Sequence, residues 1–245
     1  RRHALRRFSM TDFNVVKQVI GLSHTSQFGN VLDACSGNGA FSKLLINYGV
    51  SYGSLYMVDK AMDCADLISS PLKAKNVKYI KCDISNTPFE DSYFDLIVMG
   101  NAIHHLADLP AAMREIHRVL KQNGAVVFVE ETTKGCNSVY EQYHQLIASM
   151  DSDNDEFHHL PYSVDHLKAE LSKYFSIQHY SSFSSRRSKA DCQKYARSLQ
   201  NKILNSALKD NTEFFRQSCG VYHALMHTES LSIMFAFFFC KKLPS

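Results

Sequence analysis

The sequence lacks the features that mark several classes of protein. No apolar run approaches the ~20 residues that a membrane-spanning helix needs, and no apolar segment of a secretory signal follows the Arg-rich start. The seven cysteines are an odd number and form no C-x-x-C pair, a pattern that fits neither a disulfide framework nor a zinc site. We therefore predict reduced thiols, a cytoplasmic location, no membrane span and no metal site.

An excess of charge of one sign is also absent. The net charge of +3 is too weak to indicate a nucleic-acid partner by itself. Two basic clusters are present, at Arg1, Arg2, Arg6 and Arg7, and at Arg186, Arg187 and Lys189. Such clusters can hold a phosphate, a carboxylate or RNA, but we expect them to form a solvated face.

The most informative stretch is residues 31–39, V-L-D-A-C-S-G-N-G, which reads as a buried strand followed by a glycine turn and a helix. Ala40 and Phe41 stand where a phosphate-binding Walker loop needs Lys-Ser/Thr, and Ser42 replaces the third glycine of the dinucleotide fingerprint. Asp33 would repel a phosphate and attract a ligand with a cationic end.

This stretch resembles the first motif of class I S-adenosylmethionine-dependent methyltransferases, V-L-D-x-G-x-G-x-G. The group in question is the broad one that includes the ubiquinone and menaquinone biosynthesis enzymes. The resemblance covers residues 28–131 well and the remainder loosely, and it implies S-adenosylmethionine as the cofactor. Cys35 replaces the first glycine of the motif; because cysteine is small, we expect a slightly altered turn and no loss of binding.

Strand and helix patterns alternate through the first half of the chain, which predicts a parallel sheet with crossover helices. The predicted strands are residues 31–33, 54–58, 77–81, 94–99, 125–129, 176–183 and 232–241, and the predicted helices are 12–20, 41–47, 108–120, 137–150 and 163–174, with two or three more within 184–228. The resemblance implies a Rossmann-like sheet of seven strands, the last of them antiparallel.

We predict a single methyltransferase domain over residues 1–245. It begins with a helical segment (1–27) and continues with the cofactor-binding core (28–131). The two segments 132–161 and 184–228 are predicted insertions that fold over the strand ends as a helical cap.

Three acids at strand ends are candidates for binding the cofactor. Asp33 is assigned to the methionine amino group, with capping of the next helix as the alternative. Asp59 can accept both ribose hydroxyls, and Asp63 is the competing acid. The resemblance assigns Asp83 to the adenine amino group and the backbone of Ile84 to the ring, whereas the alternative for Asp83 is a turn.

Other residues near these acids complete the predicted cofactor site. Met62 is placed against the adenine face, with plain core packing as the alternative. The full predicted set is Asp33, Cys35, Gly37, Gly39, Asp59, Lys60, Met62, Asp83, Ile84 and Asn101.

His104 and His105 are the candidate catalytic residues, because they follow the fourth strand, where substrate and methyl donor meet. A neutral histidine near an acceptor hydroxyl can serve as a general base, worth ~10²–10⁴-fold. The alternative is packing, and we expect at least one of them to be buried against the sheet. His158 and His159, with Glu130 or Glu131, are weighed as metal ligands, but surface histidines are the favoured interpretation.

The predicted function is methyl transfer to a small-molecule acceptor by in-line displacement. Five aromatic residues, Tyr140, Tyr143, Phe157, Tyr162 and Tyr222, are assigned either to an apolar acceptor pocket or to the core of the cap. An RNA or protein methyltransferase is the second interpretation, although neither an Asn-Pro-Pro-Tyr motif nor a Pro-Cys nucleophile is present. A non-catalytic S-adenosylmethionine-binding module is the third.

Overall fold

A single sheet with helices on both faces organises the chain in a computed structural model, which describes residues 10–60, 76–133, 138–151 and 160–243. The described helices are α1 (Met10–Ser23), α2 (Ala40–Asn47), α3 (Leu109–Val119), α4 (Ser138–Asp151), α5 (Val164–Leu171), α6 (Lys189–Leu204) and α7 (Thr212–His227). The described strands are β1 (Gln27–Ala34), β2 (Ser51–Asp59), β3 (Val77–Lys81), β4 (Phe94–Gly100), β5 (Leu120–Thr132), β6 (Phe175–Ser188) and β7 (Ser230–Lys242).

The seven strands lie in the order β3-β2-β1-β4-β5-β7-β6. Strands β1 to β5 pair in parallel, and β7 is antiparallel to both of its neighbours, β5 and β6. The predicted fold class, a mostly parallel Rossmann-like sheet of seven strands with an antiparallel last strand, is confirmed. In such a sheet the carboxyl ends of the parallel strands share one edge, where ligands bind.

Both faces of the sheet are buried, which explains why the central strands are continuous apolar runs. On one face, Leu32 and Ile97 pack with the apolar side of α3. On the other face, Val31 and Leu96 pack with α1 and α2. The strands are therefore held rigidly from both sides, and the loops at their carboxyl ends start from fixed positions.

The boundary between α3 and β5 differs from the prediction. The sequence predicts a helix through Leu120, because Asn123-Gly124 shortly after it is a typical helix stop. The helix ends at Val119, and Leu120 already pairs with Phe94 at the start of β5. Gly124 lies instead at an irregularity of the strand pairing, where a Cβ atom would stand 2.7 Å from Leu120 Cδ1. Glycine thus permits close packing within the strand here.

Strand β6 is longer than predicted, because it continues to Ser188 instead of ending at Phe183. Its partner β7 is a long apolar strand, and the pairing extends from Phe175↔Lys242 to Ser188↔Ser230. The Phe183 ring stacks on that of Phe235 with centroids 5.4 Å apart. Residues 184–188, the first part of the predicted insertion at 184–228, therefore belong to β6.

Three helices outside the sheet share an apolar cluster of their own. Helices α4, α6 and α7 contribute Leu146, Leu199 and Leu225, all of which are buried. Tyr143 and Tyr222 pack against this cluster, and Tyr143 also packs against the apolar cluster on the α1 and α2 face of the sheet. In the described parts of the chain, no helix combines the length and apolar character needed to cross a membrane.

Candidate active site

The turn after β1 has backbone conformations that side chains rarely adopt. Cys35, Gly37 and Gly39 have φ values of 54°, 51° and 72°, all in the left-handed region. The Gly37 N–H donates to Asp59 Oδ2 at 2.8 Å, and the Ser36 N–H donates to the Val58 carbonyl at 2.9 Å. The end of β2 therefore holds the turn after β1, and Asp59 is one of the groups that fix it.

Asp33 lies at the end of β1 and is only 2% exposed. Its Oδ2 accepts hydrogen bonds from the Ser42 N–H at 3.0 Å and the Ser42 hydroxyl at 2.6 Å. Gly39, at the N-cap of α2, has no side chain with which to satisfy the helix, so Asp33 supplies the cap. Asp33 therefore caps the helix that follows it, which was the alternative role predicted for this residue. Its other oxygen, Oδ1, accepts no hydrogen bond from the described residues.

Burial raises the pKa of Asp33 from 3.8 to about 7, against the lowering effect of the Ser42 hydrogen bonds, and the nearby charge of Asp59 raises it further. A carboxyl with this pKa gains its negative charge readily when a cation arrives, because an opposite charge favours the ionised form. The ligand that this position favours is therefore cationic.

Asp33 also makes the stability of the ligand-free protein depend on pH. With a folded-state pKa raised from 3.8 to about 7, its contribution is fully present below pH 4 and is lost as the pH rises through 7. We expect Asp33→Asn to be more stable than the wild type at pH 8, by up to about 4 kcal/mol, and to lose this advantage at pH 4. Urea unfolding at the two pH values measures the difference. The same pH dependence in both proteins would contradict the assignment.

Four acids contribute to the electrostatic environment of the half-buried thiol of Cys35. Burial raises the pKa of this thiol, and the charges of Asp59, Asp83, Glu130 and Asp33 raise it further, in that order. Asp33, Asp59 and Glu130 lie at the carboxyl ends of β1, β2 and β5, and Asp83 lies just after β3. Because these strands are parallel, the sheet brings the four acids to the same edge. The result is an edge of the sheet with negative potential.

The left-handed conformation of Cys35 has a measurable consequence, because at such a position a glycine variant is more stable than an alanine variant, the reverse of the usual order. Glycine is normally ~0.5–1 kcal/mol less stable than alanine within regular structure, whereas in the left-handed region a Cβ atom is penalised by about 1–2 kcal/mol. We expect Cys35→Gly to be more stable than Cys35→Ala by about 1 kcal/mol in urea unfolding. If Cys35→Ala is the more stable of the two, the turn does not carry this strain.

Two buried oxygens near this edge have no hydrogen-bond partner among the described residues, namely Ser36 Oγ and Asn101 Oδ1. Ala34 pairs with Met99 in the sheet, so Ser36 and Asn101 each stand two residues beyond a paired position on adjacent parallel strands. Both oxygens are acceptors, and buried acceptors normally have a donor. Together with the four carboxylates, they fit the ammonium and adenosyl groups of S-adenosylmethionine.

Asn101 was predicted to belong to the cofactor site, but Ser36 was not. The only available signal for Ser36 was its position inside the glycine turn, where the motif allows any residue. Asn101 also has a left-handed φ of 52°, so its side chain is set by a strained backbone at the end of β4.

The Asp83 carboxylate forms hydrogen bonds within its own loop, which is the turn that was the alternative predicted role for this residue. Its Oδ1 accepts from the Ser85 N–H at 2.9 Å and the Ser85 hydroxyl at 2.7 Å. These bonds lower the pKa of Asp83 despite its partial burial, and the charge of Lys60 contributes in the same direction. Ile84 is buried in the core. Met62 and the competing acid Asp63 lie outside the described residues.

Glu130, at the end of β5, organises the segment after β4. Its Oε1 accepts from the N–H groups of Ala102 at 2.7 Å and Ile103 at 3.0 Å, and its Oε2 lies 3.2 Å from His104 Nδ1. Glu130 is 2% exposed and His104 is 4% exposed, which confirms that one of the two histidines is buried against the sheet. His105 is exposed, with its ring centroid 4.2 Å from that of His104.

The neighbouring Glu131 connects β5 to α4. The Tyr140 hydroxyl donates to Glu131 Oε2 at 2.5 Å, and His144 Nε2 lies 3.7 Å from the same oxygen. Burial and the charge of His104 lower the pKa of His144 to about 3, so this ring is neutral near pH 7. Helix α4 is therefore attached to the edge of the sheet where the acids converge. His158, His159 and Phe157 lie outside the described residues.

Residues 32–128 match a family model described as "Methyltransferase domain". Over 103 residues the chain is 27% identical to a 2-phytyl-1,4-naphtoquinone methyltransferase of Trichormus variabilis, a match that covers 40% of this chain and 45% of that protein. Over 116 residues it is 30% identical to a demethylmenaquinone methyltransferase of Staphylococcus aureus, covering 47% and 48%. The chain thus spans about half the length of these curated relatives.

A putative methyltransferase from Bacillus halodurans has a similar structure. The TM-score is 0.66 with 17% sequence identity, and the superposition covers 96% of this chain and all of that one. At this identity the likeness establishes the fold alone. The resemblance predicted from the glycine motif is confirmed by the family match.

Proposed function

We propose that this chain, which carries a class I S-adenosylmethionine-dependent methyltransferase domain, transfers a methyl group from S-adenosylmethionine to a small-molecule acceptor. The observation that carries the proposal is the convergence of four carboxylates around the turn after β1. An edge with this potential suits a ligand that bears an ammonium and a sulfonium group, and it disfavours a dinucleotide pyrophosphate.

Each residue of the turn has a distinct part in this proposal. Asp33, Ser36 and Asn101 bind the methionine end of the ligand, and Asp59 accepts hydrogen bonds from the ribose hydroxyls. Asp83 and the backbone of Ile84 recognise adenine. The left-handed turn, which includes Gly37 and Gly39, allows the backbone to approach the ligand closely. We also assign Cys35, Lys60 and Met62 to the cofactor site, with Met62 against the adenine face.

When bound, S-adenosylmethionine supplies an electrophilic methyl group on a positively charged sulfur. The protein's main task is to align the acceptor with that methyl group, which can be worth ~7–11 kcal/mol relative to a reaction in solution. His104 or His105 removes a proton where the acceptor is a hydroxyl or a carbon activated by one.

A quinol is the acceptor class that we propose to test first. The names of the two curated relatives support it, because both act on naphthoquinones according to those names. Tyr162, one of the aromatic residues assigned to the acceptor pocket, packs against the core cluster of the sheet, and its ring stacks on that of His166 with centroids 4.6 Å apart.

The second interpretation, a methyltransferase acting on RNA, has less support from the basic clusters. Arg186 donates to the Ser230 hydroxyl, Arg187 donates to the Ser185 hydroxyl, and Lys189 pairs with Glu229 at 2.6 Å. These three cations are thus engaged by groups of the protein itself, and Arg1, Arg2, Arg6 and Arg7 lie outside the described residues. We also propose a cytoplasmic location, which the free thiols of Cys35, Cys82, Cys192, Cys219 and Cys240 support.

Calorimetric titration with S-adenosylmethionine, S-adenosylhomocysteine and NAD tests the cofactor. We expect micromolar affinity for the two adenosyl ligands and no binding of NAD. Methyl transfer is then measured by mass spectrometry with a reduced 1,4-naphthoquinone that carries a short isoprenoid chain. Binding without transfer to this quinol or to a panel of small hydroxyl compounds would favour the non-catalytic module, and NAD binding would contradict the proposal.

A further inference from the structure

We propose that Glu130 positions His104 as the general base, which makes His104, and not His105, the residue that takes the proton from the acceptor. This inference rests on the proposed function and deepens it. Glu130 does not touch the reacting atoms, so it is a positioning residue that acts through the imidazole.

The first support is the way Glu130 fixes the backbone beneath His104. One carboxylate oxygen accepts from two successive N–H groups, those of Ala102 and Ile103, at 2.7 and 3.0 Å. His104 follows directly in the short 3-10 turn Ile103–His105. Because the acid is nearly fully buried and belongs to a central strand, it gives the turn a rigid reference point.

The second support is the contact between Glu130 and the ring. Its other oxygen, Oε2, lies 3.2 Å from Nδ1 of His104. A carboxylate accepts, so the proton of the neutral imidazole belongs on Nδ1, and Nε2 keeps its lone pair. A carboxylate that orients a histidine in this way also stabilises the imidazolium that forms when the ring takes a proton.

The third support is the electrostatic environment of the ring. Burial opposes protonation of His104, but the hydrogen bond and charge of Glu130, with the charge of Glu131, outweigh it and raise the pKa above 6.5. Among the described residues, His144 from α4 and His105 from the same turn also lie near the ring. His144 is neutral at physiological pH, so the two glutamates decide the charge of His104.

The proposed step combines proton transfer to His104 with methyl transfer to the acceptor. Nε2 of His104 takes the proton from the acceptor's hydroxyl group, and the electron pair left on that same oxygen forms the new bond to the methyl carbon. The electrons of the broken sulfur–carbon bond stay on sulfur, which becomes neutral. The proton then passes from Nε2 to water, so no oxidant or further reactant is needed.

Glu130→Gln tests the positioning role, because a glutamine can still accept from the two backbone N–H groups while its amide faces Nδ1 as a donor. With the isoprenoid naphthoquinol as the probe, we expect kcat to fall about 30-fold, with KM and the affinity for S-adenosylmethionine changed less than twofold. The acidic limb of the kcat profile shifts to lower pH, because the imidazolium loses its stabilising charge. Glu229→Gln, the same substitution at a surface ion pair, is expected to retain the wild-type profile.

A double-mutant cycle identifies the residue through which Glu130 acts. His104→Ala is expected to lower kcat at least as much as Glu130→Gln, and the double variant is expected to be no worse than His104→Ala alone. An unchanged kcat and pH profile in Glu130→Gln, with an inactive His104→Ala, would overturn the positioning role. A loss confined to His105→Ala would overturn the choice of His104.

Nitrogen NMR of the His104 ring tests the pair without relying on catalysis. We expect the wild type to hold its proton on Nδ1 and Glu130→Gln to hold it on Nε2, with His104→Ala used for assignment. A wild-type ring that is protonated on Nε2 would overturn the inference even if methyl transfer is observed. Conversely, absence of transfer with an Nδ1-protonated ring would count against the proposed function and not against the pair.

Discussion

Asp33→Ala is expected to abolish measurable binding of S-adenosylmethionine, which means an affinity at least ~100-fold lower than that of the wild type. The carboxylate lies in a buried position where its interaction with a cation is little screened, and a single hydrogen bond to a charged group is worth about 1.5–3 kcal/mol. Calorimetric titration at pH 8, where the wild-type acid is ionised, gives the clearest comparison.

The fold should survive this substitution. Loss of the helix cap at Ser42 costs about 1 kcal/mol, and removal of an acid whose pKa is raised by burial offsets that loss above pH 7. Ser42→Ala is the matched control, because it removes one partner of Asp33 and keeps the carboxylate. We expect its affinity to stay within about tenfold of the wild type. Wild-type affinity in Asp33→Ala would show that the ligand binds elsewhere.

Glu115→Ala is expected to lower the free energy of unfolding by about 3 kcal/mol, because it leaves buried groups without partners. Glu115 lies on α3 and is nearly buried, and it accepts from the Thr87 N–H at 2.8 Å and the Thr87 hydroxyl at 2.6 Å. It also accepts two hydrogen bonds from Arg118, whose guanidinium in turn reaches the Phe89 carbonyl at 2.8 Å. One acid thus holds the loop between β3 and β4.

Because Asp83 and Ile84 begin this loop, Glu115→Ala should also weaken the binding of S-adenosylmethionine, but by less than tenfold since the effect is indirect. Glu115→Gln is the control: it keeps an acceptor for Thr87 and is expected to cost about 1 kcal/mol. Urea unfolding measures the stability of both variants. A loss below 1 kcal/mol in Glu115→Ala would show that water replaces these hydrogen bonds.

The sequence was sufficient to predict the sheet because its strands are marked by hydrophobicity on both faces. Strand β3 has its predicted bounds. As expected, Asp33 and Asp59 lie at strand ends, and Asp83 lies just after one. The end of α3 was predicted incorrectly because Asn123-Gly124 is a typical helix stop, whereas pairing of Leu120 with Phe94 overrides that signal. Local patterns do not contain information about a partner 26 residues away.

The hydrogen-bond partners of the site's side chains could not be predicted from the sequence for a similar reason. Asp33 and Asp83 each have a serine a short distance along the chain, and only the backbone geometry decides whether the acid bonds that serine. Glu130 was considered in the sequence only as a metal ligand, because its bonds to Ala102 and His104 depend on the pairing of β4 with β5. Gly100 gave no signal either, although a Cβ atom there would collide with the Phe41 ring.

The pairing of Ser188 with Ser230 has a consequence for how this molecule can diversify. The segment between these residues, which contains α6 and α7, leaves and re-enters the sheet at two directly opposed positions of an antiparallel ladder. A two-residue hairpin turn bridges such positions in other proteins, so the sheet places almost no constraint on what lies between them. The segment is in effect an exchangeable module, whose length and surface can change while the cofactor edge keeps its geometry.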